Sequence, residues 1–452
     1  MSDQSNDTPV PIAASSAPAH WSFATRLAFR FVFCYFMIYA LCCGNATIWG
    51  ALLPVVGNFI ENWLAWPFYH AAQWLAQHYF HVQGVGAKIH GTGSGDTAIA
   101  WISLGIMFSV ALVATAIWTA LSEFKPAHPT TYPKLFAWFR FIIRLTLGVS
   151  MFGYGMAKVF PLQMAPPSLA VLNEPFGNLS PMTLLWTMIG LHPVYEMVCG
   201  AAEVIAGAFI LFRRTALLGA LVTAFVVTNV VLYNFFFDVP VKIYAAHLLL
   251  MSLVVIVPDA HALFRFFWRH EPAAPGAPWF PATNRRWLRR TIFGVECWLG
   301  FVVAVVLPII LGIAFIGQTR SARNRIALDG QWHLDSATLN GQPKPFLTGD
   351  GLPMTDIFLE PSGHTMVRDS ATVLWRSGFR YDEKKHTANF SSNDNHATYA
   401  VTQSDSSHMV LTPTGKDAKT AAVLSFTHVP LPSHYPLLDR GFHFVNEWGL
   451  ER

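Results

Sequence analysis

The sequence predicts a polytopic α-helical membrane protein of about seven spans that carries a C-terminal antiparallel β domain. Three observations lead there. The 452 residues are 53% hydrophobic and only 12% charged, with a mean hydropathy of +0.38, whereas soluble domains run at roughly 25% charged. Seven apolar runs are long enough to cross a bilayer, for which about 20 residues suffice. After residue 318 the pattern changes to short alternating apolar runs divided by Gly, Pro, Asn and Asp, the signature of strands and turns.

Residues 1–20, rich in Ser, Pro, Ala and Asp, read as a disordered tail. The next segment, 21–134, holds the first two spans. The first is expected over 27–43, behind Arg26 and with Arg30 inside it. Residues 48–83 carry Trp63, Trp66, Phe68, Tyr69, Trp74, Tyr79 and Phe80 among polar positions. That aromatic load predicts an interfacial helix rather than a spanning hairpin. A glycine-rich stretch, 91–97, precedes the second span at 98–121. It lacks the lysine that completes a phosphate-binding loop. Ser94 or Asp96 is therefore expected to cap the new helix.

The third span, 135–160, opens a four-helix core over 135–270. The connection after it ends in Ser180-Pro181, a helix start with serine as cap and proline in the first turn. Residues 183–212 exceed one crossing and break at 190–193, which predicts a short helical piece and then a span from 194. The fifth and sixth spans, 215–237 and 242–258, flank a turn in which Pro240 stops the helix. A charged tail, 261–270, returns the chain to water, a linker with an aromatic and arginine-rich anchor covers 271–290, and the seventh span covers 291–317.

Strands are expected at 331–339, 355–359, 397–402, 409–411 and 422–428, within a β domain spanning 318–452. This domain holds 13 Lys and Arg against 14 Asp and Glu, a net charge of −1. Neither nucleic acid nor a charged membrane surface is its expected partner. Its histidines form no ligand-spaced pair, so no metal is expected. The five cysteines, Cys34, Cys42, Cys43, Cys199 and Cys297, all lie in apolar runs and read as small hydrophobes.

The core spans contain ionisable groups that are costly in a bilayer, so they pair with one another or mark a site. Arg140, Arg144, Leu147, Met151, Tyr154 and Lys158 recur at helical spacing. Glu196, Gly200, Glu203 and Gly207 share a face of the fourth span, with glycines that let a neighbour approach. Lys158, Glu203, His247 and Glu196 are the candidate catalytic or relay groups. Arg144, Tyr154, Asn229, Asn234, Asp238, Lys242 and Tyr244 are the candidate ligand-binding groups. The competing expectation is that all are polar bolts between helices.

Positive residues in the connections decide the predicted orientation. With the N-terminus inside, inner segments hold 11 Lys and Arg and outer connections 3. The positive-inside rule places the β domain outside, in the periplasm of a Gram-negative cell. By depth, Lys158, Tyr154, Glu196, Asn234, Asp238, Tyr244 and His247 then fall in the outer half of the membrane and could line one cavity.

The run Gly153, Tyr154, Gly155, Met156, Ala157, Lys158, the Glu203 and Gly207 pair, the preceding Arg144 and the Arg213-Arg214 doublet resemble the DoxX-like membrane proteins. Residues 91–97, 238–242 and 440–447 resemble a longer subgroup. The resemblance implies a four-helix membrane unit and one of several roles: subunit of a thiosulfate:quinone oxidoreductase, aid to maturation of periplasmic redox enzymes, or cargo receptor. Two functions follow as expectations. One is a quinone-interacting or redox-accessory subunit, with a quinone or other small amphipathic ligand at Lys158, Glu203 and His247. The other is a non-enzymatic binding or maturation factor in the bacterial inner membrane, for a periplasmic redox or client protein. The helical unit with an outer β domain also resembles vitamin K-dependent carboxylase-like proteins, for which Lys158 would be the base.

Overall fold

The computed structural model describes residues 20–42, 48–53, 56–82, 95–124, 129–272, 283–323, 328–348, 351–360, 364–372, 374–392, 395–403, 405–415 and 421–439. Among these, seven helices are long and apolar enough to cross a membrane: Phe23–Cys42, Ala98–Glu123, Pro133–Val159, Pro193–Leu211, Ala216–Phe236, Lys242–Arg269 and Arg286–Arg320. The protein is an integral, multi-pass membrane protein with a C-terminal antiparallel sheet. It folds as two compact units, Met1–Ser150 with Phe209–Val227 and Pro240–Leu299, and Met151–Ala208 with Thr228–Val239 and Gly300–Arg452.

The first unit begins with α1 (Phe23–Cys42), the short α2 (Ile48–Leu52) and α3 (Gly57–His78). The predicted interfacial segment 48–83 thus holds two helices, α2 and the longer α3, with Pro67 inside α3 and aromatic residues exposed along it. It packs on α4 (Ala98–Glu123) and on α1, and it is not among the seven spanning helices. Arg26 and Arg30 of α1 are buried. Arg26 pairs with Glu123 at 3.4 Å, and the Arg30 guanidinium donates to Tyr132 Oη at 2.6 and 3.1 Å. The arginines expected to mark topology therefore also fasten α1 to the end of α4 and to Tyr132, just before α5 (Pro133–Val159).

Thr97, and not Asp96, caps α4, accepting the Ala100 N–H at 3.2 Å; Ser94 lies outside the described residues. Asp96 caps a different helix. Its carboxylate accepts the N–H groups of Lys242 at 2.6 Å and Ile243 at 3.0 Å, the first free donors of α10 (Lys242–Ile256). The stretch 261–270, expected as a charged tail, is helical, α11 (Ala260–Arg269), reached through one 3₁₀ turn. The last span starts earlier than its apolar run, at Arg286 in α12 (Arg286–Phe301).

The second unit holds the other end of α5 and its connection: α6 (Leu169–Leu172), a 3₁₀ turn at Phe176–Asn178 and α7 (Pro181–Gly190). Ser180 caps α7 through the Thr183 N–H, with Pro181 in the first turn as expected. A break at 191–192 leads to α8 (Pro193–Leu211), followed by α9 (Ala216–Phe236). After the π-helical stretch Val302–Val306, α13 (Leu307–Arg323) leads into nine strands.

These are β1 (Gly330–Leu339), β2 (Gln342–Pro343), β3 (Met354–Leu359), β4 (His364–Asp369), β5 (Leu374–Asp382), β6 (Thr387–Ser392), β7 (Asn395–Gln403), β8 (His408–Pro413) and β9 (Val423–Val429). Each of β3 to β8 pairs antiparallel with the next. β1 pairs with both β3 and β9, which closes eight strands into a ring. Closure removes the free edges that would invite aggregation. Asn340 and Gly341, both at positive φ, make the two-residue turn into β2, the preferred chemistry for a tight hairpin. Trp332, Ile357, Leu359, Tyr399, Leu411 and Phe426 pack the barrel core. An eight-stranded barrel is just narrow enough for side chains to fill.

Candidate functional site

Sequence spacing puts Lys158 on the last turn of α5 and Glu203 in the middle of α8. The fold pairs them. Nζ of Lys158 donates to Oε1 and Oε2 of Glu203 at 2.8 and 2.7 Å, and each residue is 4% exposed. The helices can meet here because Gly155 and Gly200 face each other. A Cβ on Gly155 would lie 2.7 Å from the Gly200 carbonyl, and one on Gly200 would lie 2.5 Å from the Gly155 carbonyl. Lys158 Nζ sits 5.7 Å from the Tyr154 ring centroid. Tyr233 and Cys199 lie within electrostatic range of Glu203.

Glu196, fully buried at the start of α8, accepts the N–H groups of Gln163 and Met164 at 3.2 and 3.0 Å through Oε1. Its Oε2 has no hydrogen-bond partner among the described residues. Gly190 is pressed against the Ala165 carbonyl, so the same connection closes tightly over the start of α8.

That connection is held by the barrel. Glu360 accepts the Leu169 N–H at 2.9 Å. Burial pushes the Glu360 carboxyl above its usual range, against the lowering effect of backbone N–H groups. Asn173 donates to Tyr435 Oη at 2.9 Å, and Asn178 to Thr372 at 2.9 Å. Arg368 of β4 donates to Glu174 at 2.8 Å and to the Asn173 carbonyl at 3.2 Å, with Asp356 of β3 3.7 Å away. Its guanidinium stands over the Phe358 ring at 4.9 Å.

Four of the other candidates belong to the first unit, each with its own surroundings. His247 is buried in α10. Its Nδ1 donates to the Ile243 carbonyl at 2.6 Å, so in the neutral ring Nε2 accepts from Tyr35 Oη at 2.7 Å. Tyr39 stacks flat on the ring, centroids 3.8 Å apart. Lys242 contributes its backbone N–H to Asp96, and Tyr244 is buried beside it. Arg144 pairs with Glu296 of α12, which also accepts Arg213 Nε at 2.9 and 3.1 Å; Arg144 further donates to the Leu211 carbonyl at 3.1 Å. Arg140 pairs with Asp259 and donates to the Val255 carbonyl at 3.0 Å. In the second unit Asn234 is buried, while Asn229 and Asp238 are exposed, Asp238 at a positive φ of 53° in the turn after α9. Asn229, a candidate ligand-binding group, is thus on an exposed face of α9.

A relative from Bacillus subtilis (strain 168), the uncharacterized protein YwoB, is 34% identical over 132 residues, which are 28% of this chain and 81% of the relative. The chain belongs to the YwoB family. No family model matches the chain, and no solved structure does. The YwoB match covers most of the smaller protein and under a third of this one, so this member of the YwoB family carries much sequence outside the shared part.

Chemically, the arrangement separates two kinds of group. Lys158, Glu203, Arg140, Arg144 and Asp259 are buried in direct ion pairs, as costly charges in an apolar medium must be. Glu196, held by backbone N–H groups, and the Tyr35-His247 hydrogen bond stand apart from these direct ion pairs, and each of these groups can be neutral. Among the described residues no group of three His, Cys, Asp or Glu is placed to hold a metal ion. Sequence reasoning missed Glu296, Asp259, Tyr35, Tyr39 and Arg368. For Glu296 a signal existed, a lone acid inside the last apolar run.

Proposed function

We propose that this chain is a membrane-anchored accessory factor, a non-enzymatic binding or maturation protein whose β-barrel engages an extracytoplasmic client. The direct, bidentate Lys158-Glu203 pair carries this reading, since the groups best suited to a relay give their hydrogen bonds to each other. The barrel's grip on the connection 161–181, through Glu360, Arg368, Thr372 and Tyr435, supports it: helical and β parts are built as one support. The excess of positive residues in the inner connections supports a barrel on the outer face, periplasmic in a Gram-negative inner membrane. The glycine crossing beside Lys158 is in keeping with a DoxX-like four-helix unit.

A quinone-interacting or redox-accessory role is the second reading. It is favoured by Glu196 Oε2, buried and without a partner among the described residues, and by Tyr154 and Tyr233 near the ion pair. A carboxylase-like role is disfavoured. A lysine base needs a neutral amine open to substrate, and Lys158 turns to Glu203 instead.

The test is to purify the full chain in mild detergent and identify what accompanies it by protein and small-molecule mass spectrometry. A stoichiometric extracytoplasmic protein, retained when Lys158→Met and Glu203→Leu are made together, supports the accessory role. A stoichiometric quinone that Glu203→Gln removes overturns it in favour of the redox reading.

A further inference from the structure

The helix α11 and the start of α12 present an unusual surface in the first unit. Along α11, Leu263, Phe264, Phe267 and Trp268 fall on one arc at helical spacing, and His261, Arg265 and Arg269 on the opposite one. No residue of α11 is buried, and Trp268 is 78% exposed. Sixteen residues beyond α11, the chain re-enters an apolar span behind Arg285, Arg286, Trp287, Arg289 and Arg290, all exposed. Both are the ends of spans joined by this one connection, so they lie at the same membrane face. From residue 260 to 290 there are six arginines and one acid, Glu271, a net charge of +5.

We propose that this surface is a binding site for anionic phospholipid headgroups. The aromatic arc of α11 suits the boundary between acyl chains and headgroups, where amphipathic helices lie in the membrane plane. The planar guanidinium fork donates two parallel hydrogen bonds to the oxygens of a phosphodiester, which a soft aqueous counter-ion cloud does not reproduce. The end of α10 and the start of α11 are fixed by Arg140, which pairs with the buried Asp259 and donates to the Val255 carbonyl, so the basic arc is held at one level. An acidic soluble protein would answer the charge but leave Phe267 and Trp268 in water. The bilayer answers both.

The experiment uses the full chain in detergent, titrated with phosphatidylglycerol or phosphatidylcholine and read by native mass spectrometry and by thermal melting. The proposal expects phosphatidylglycerol to bind at least about tenfold more tightly and the preference to fall with salt. Replacing Arg286→Gln, Arg289→Gln and Arg290→Gln together should remove most of it, each arginine contributing at most about fivefold. Arg380→Gln, an exposed arginine of the barrel, should leave it unchanged. If the triple variant does not insert, Arg265→Gln with Arg269→Gln makes the same test from α11. Equal binding of the two lipids, a preference that survives loss of these arginines, or a stoichiometric acidic protein occupying the surface in place of lipid overturns the proposal.

Discussion

Gly155 and Gly200 bring two membrane helices into backbone contact one turn from the Lys158-Glu203 pair, and neither position has room for a Cβ. The close approach and the ion pair are one device. A short helix-to-helix distance lets the lysine reach its carboxylate from a helix end without leaving the buried layer.

Gly155→Ala and Gly200→Ala should each lower stability by about 1–3 kcal/mol, the usual cost of overpacking. Gly153→Ala, whose Cβ would meet nothing within 4 Å, should be close to neutral. Melting temperatures in detergent check this, and equal effects at all three positions would rule out the crossing.

Removing one partner of the ion pair leaves a buried charge, so Glu203→Leu alone should cost about 3–5 kcal/mol, while Lys158→Met with Glu203→Leu should recover most of it. A double-mutant cycle measures the coupling. A double variant as damaged as the single one would mean that the pair does more than bolt α5 to α8.

Asp96→Ala should destabilise by about 0.5–2 kcal/mol through the lost cap of α10, and Thr97→Ala by a comparable amount through α4. Hydrogen exchange separates the two. Protection should fall at residues 242–246 for the first and at 98–101 for the second.

Glu61 is buried in α3, and burial pushes its carboxyl up to about 7. Its folded-state value lies above the unfolded one, so the associated stability is present below about 4.5 and is lost as pH rises through about 7. Glu61→Gln should therefore match the parent at pH 4 and exceed it at pH 8, by on the order of 2 kcal/mol. Melting curves at the two pH values decide it, and a variant less stable at pH 8 refutes the argument.

The sequence by itself determined the seven apolar helices, the Ser180-Pro181 helix start, the break near 190–193 and the five strands β1, β3, β7, β8 and β9. Composition, periodicity of 3.6 or 2 and local turn chemistry carry these, and each acts over a few residues. β4, β5 and β6 escaped because sparse apolar positions, and Gly378 within β5, leave them to be fixed by ladder bonds to their neighbours. Only the tertiary structure decided who partners whom. Lys158 and Glu203 are 45 residues apart, Asp96 and Lys242 146, and Arg144 and Glu296 152. A buried charge demands a partner but does not name it. The helix packing that brings one acid within reach makes that choice, and so decides which polar groups are bolts and which remain open to chemistry.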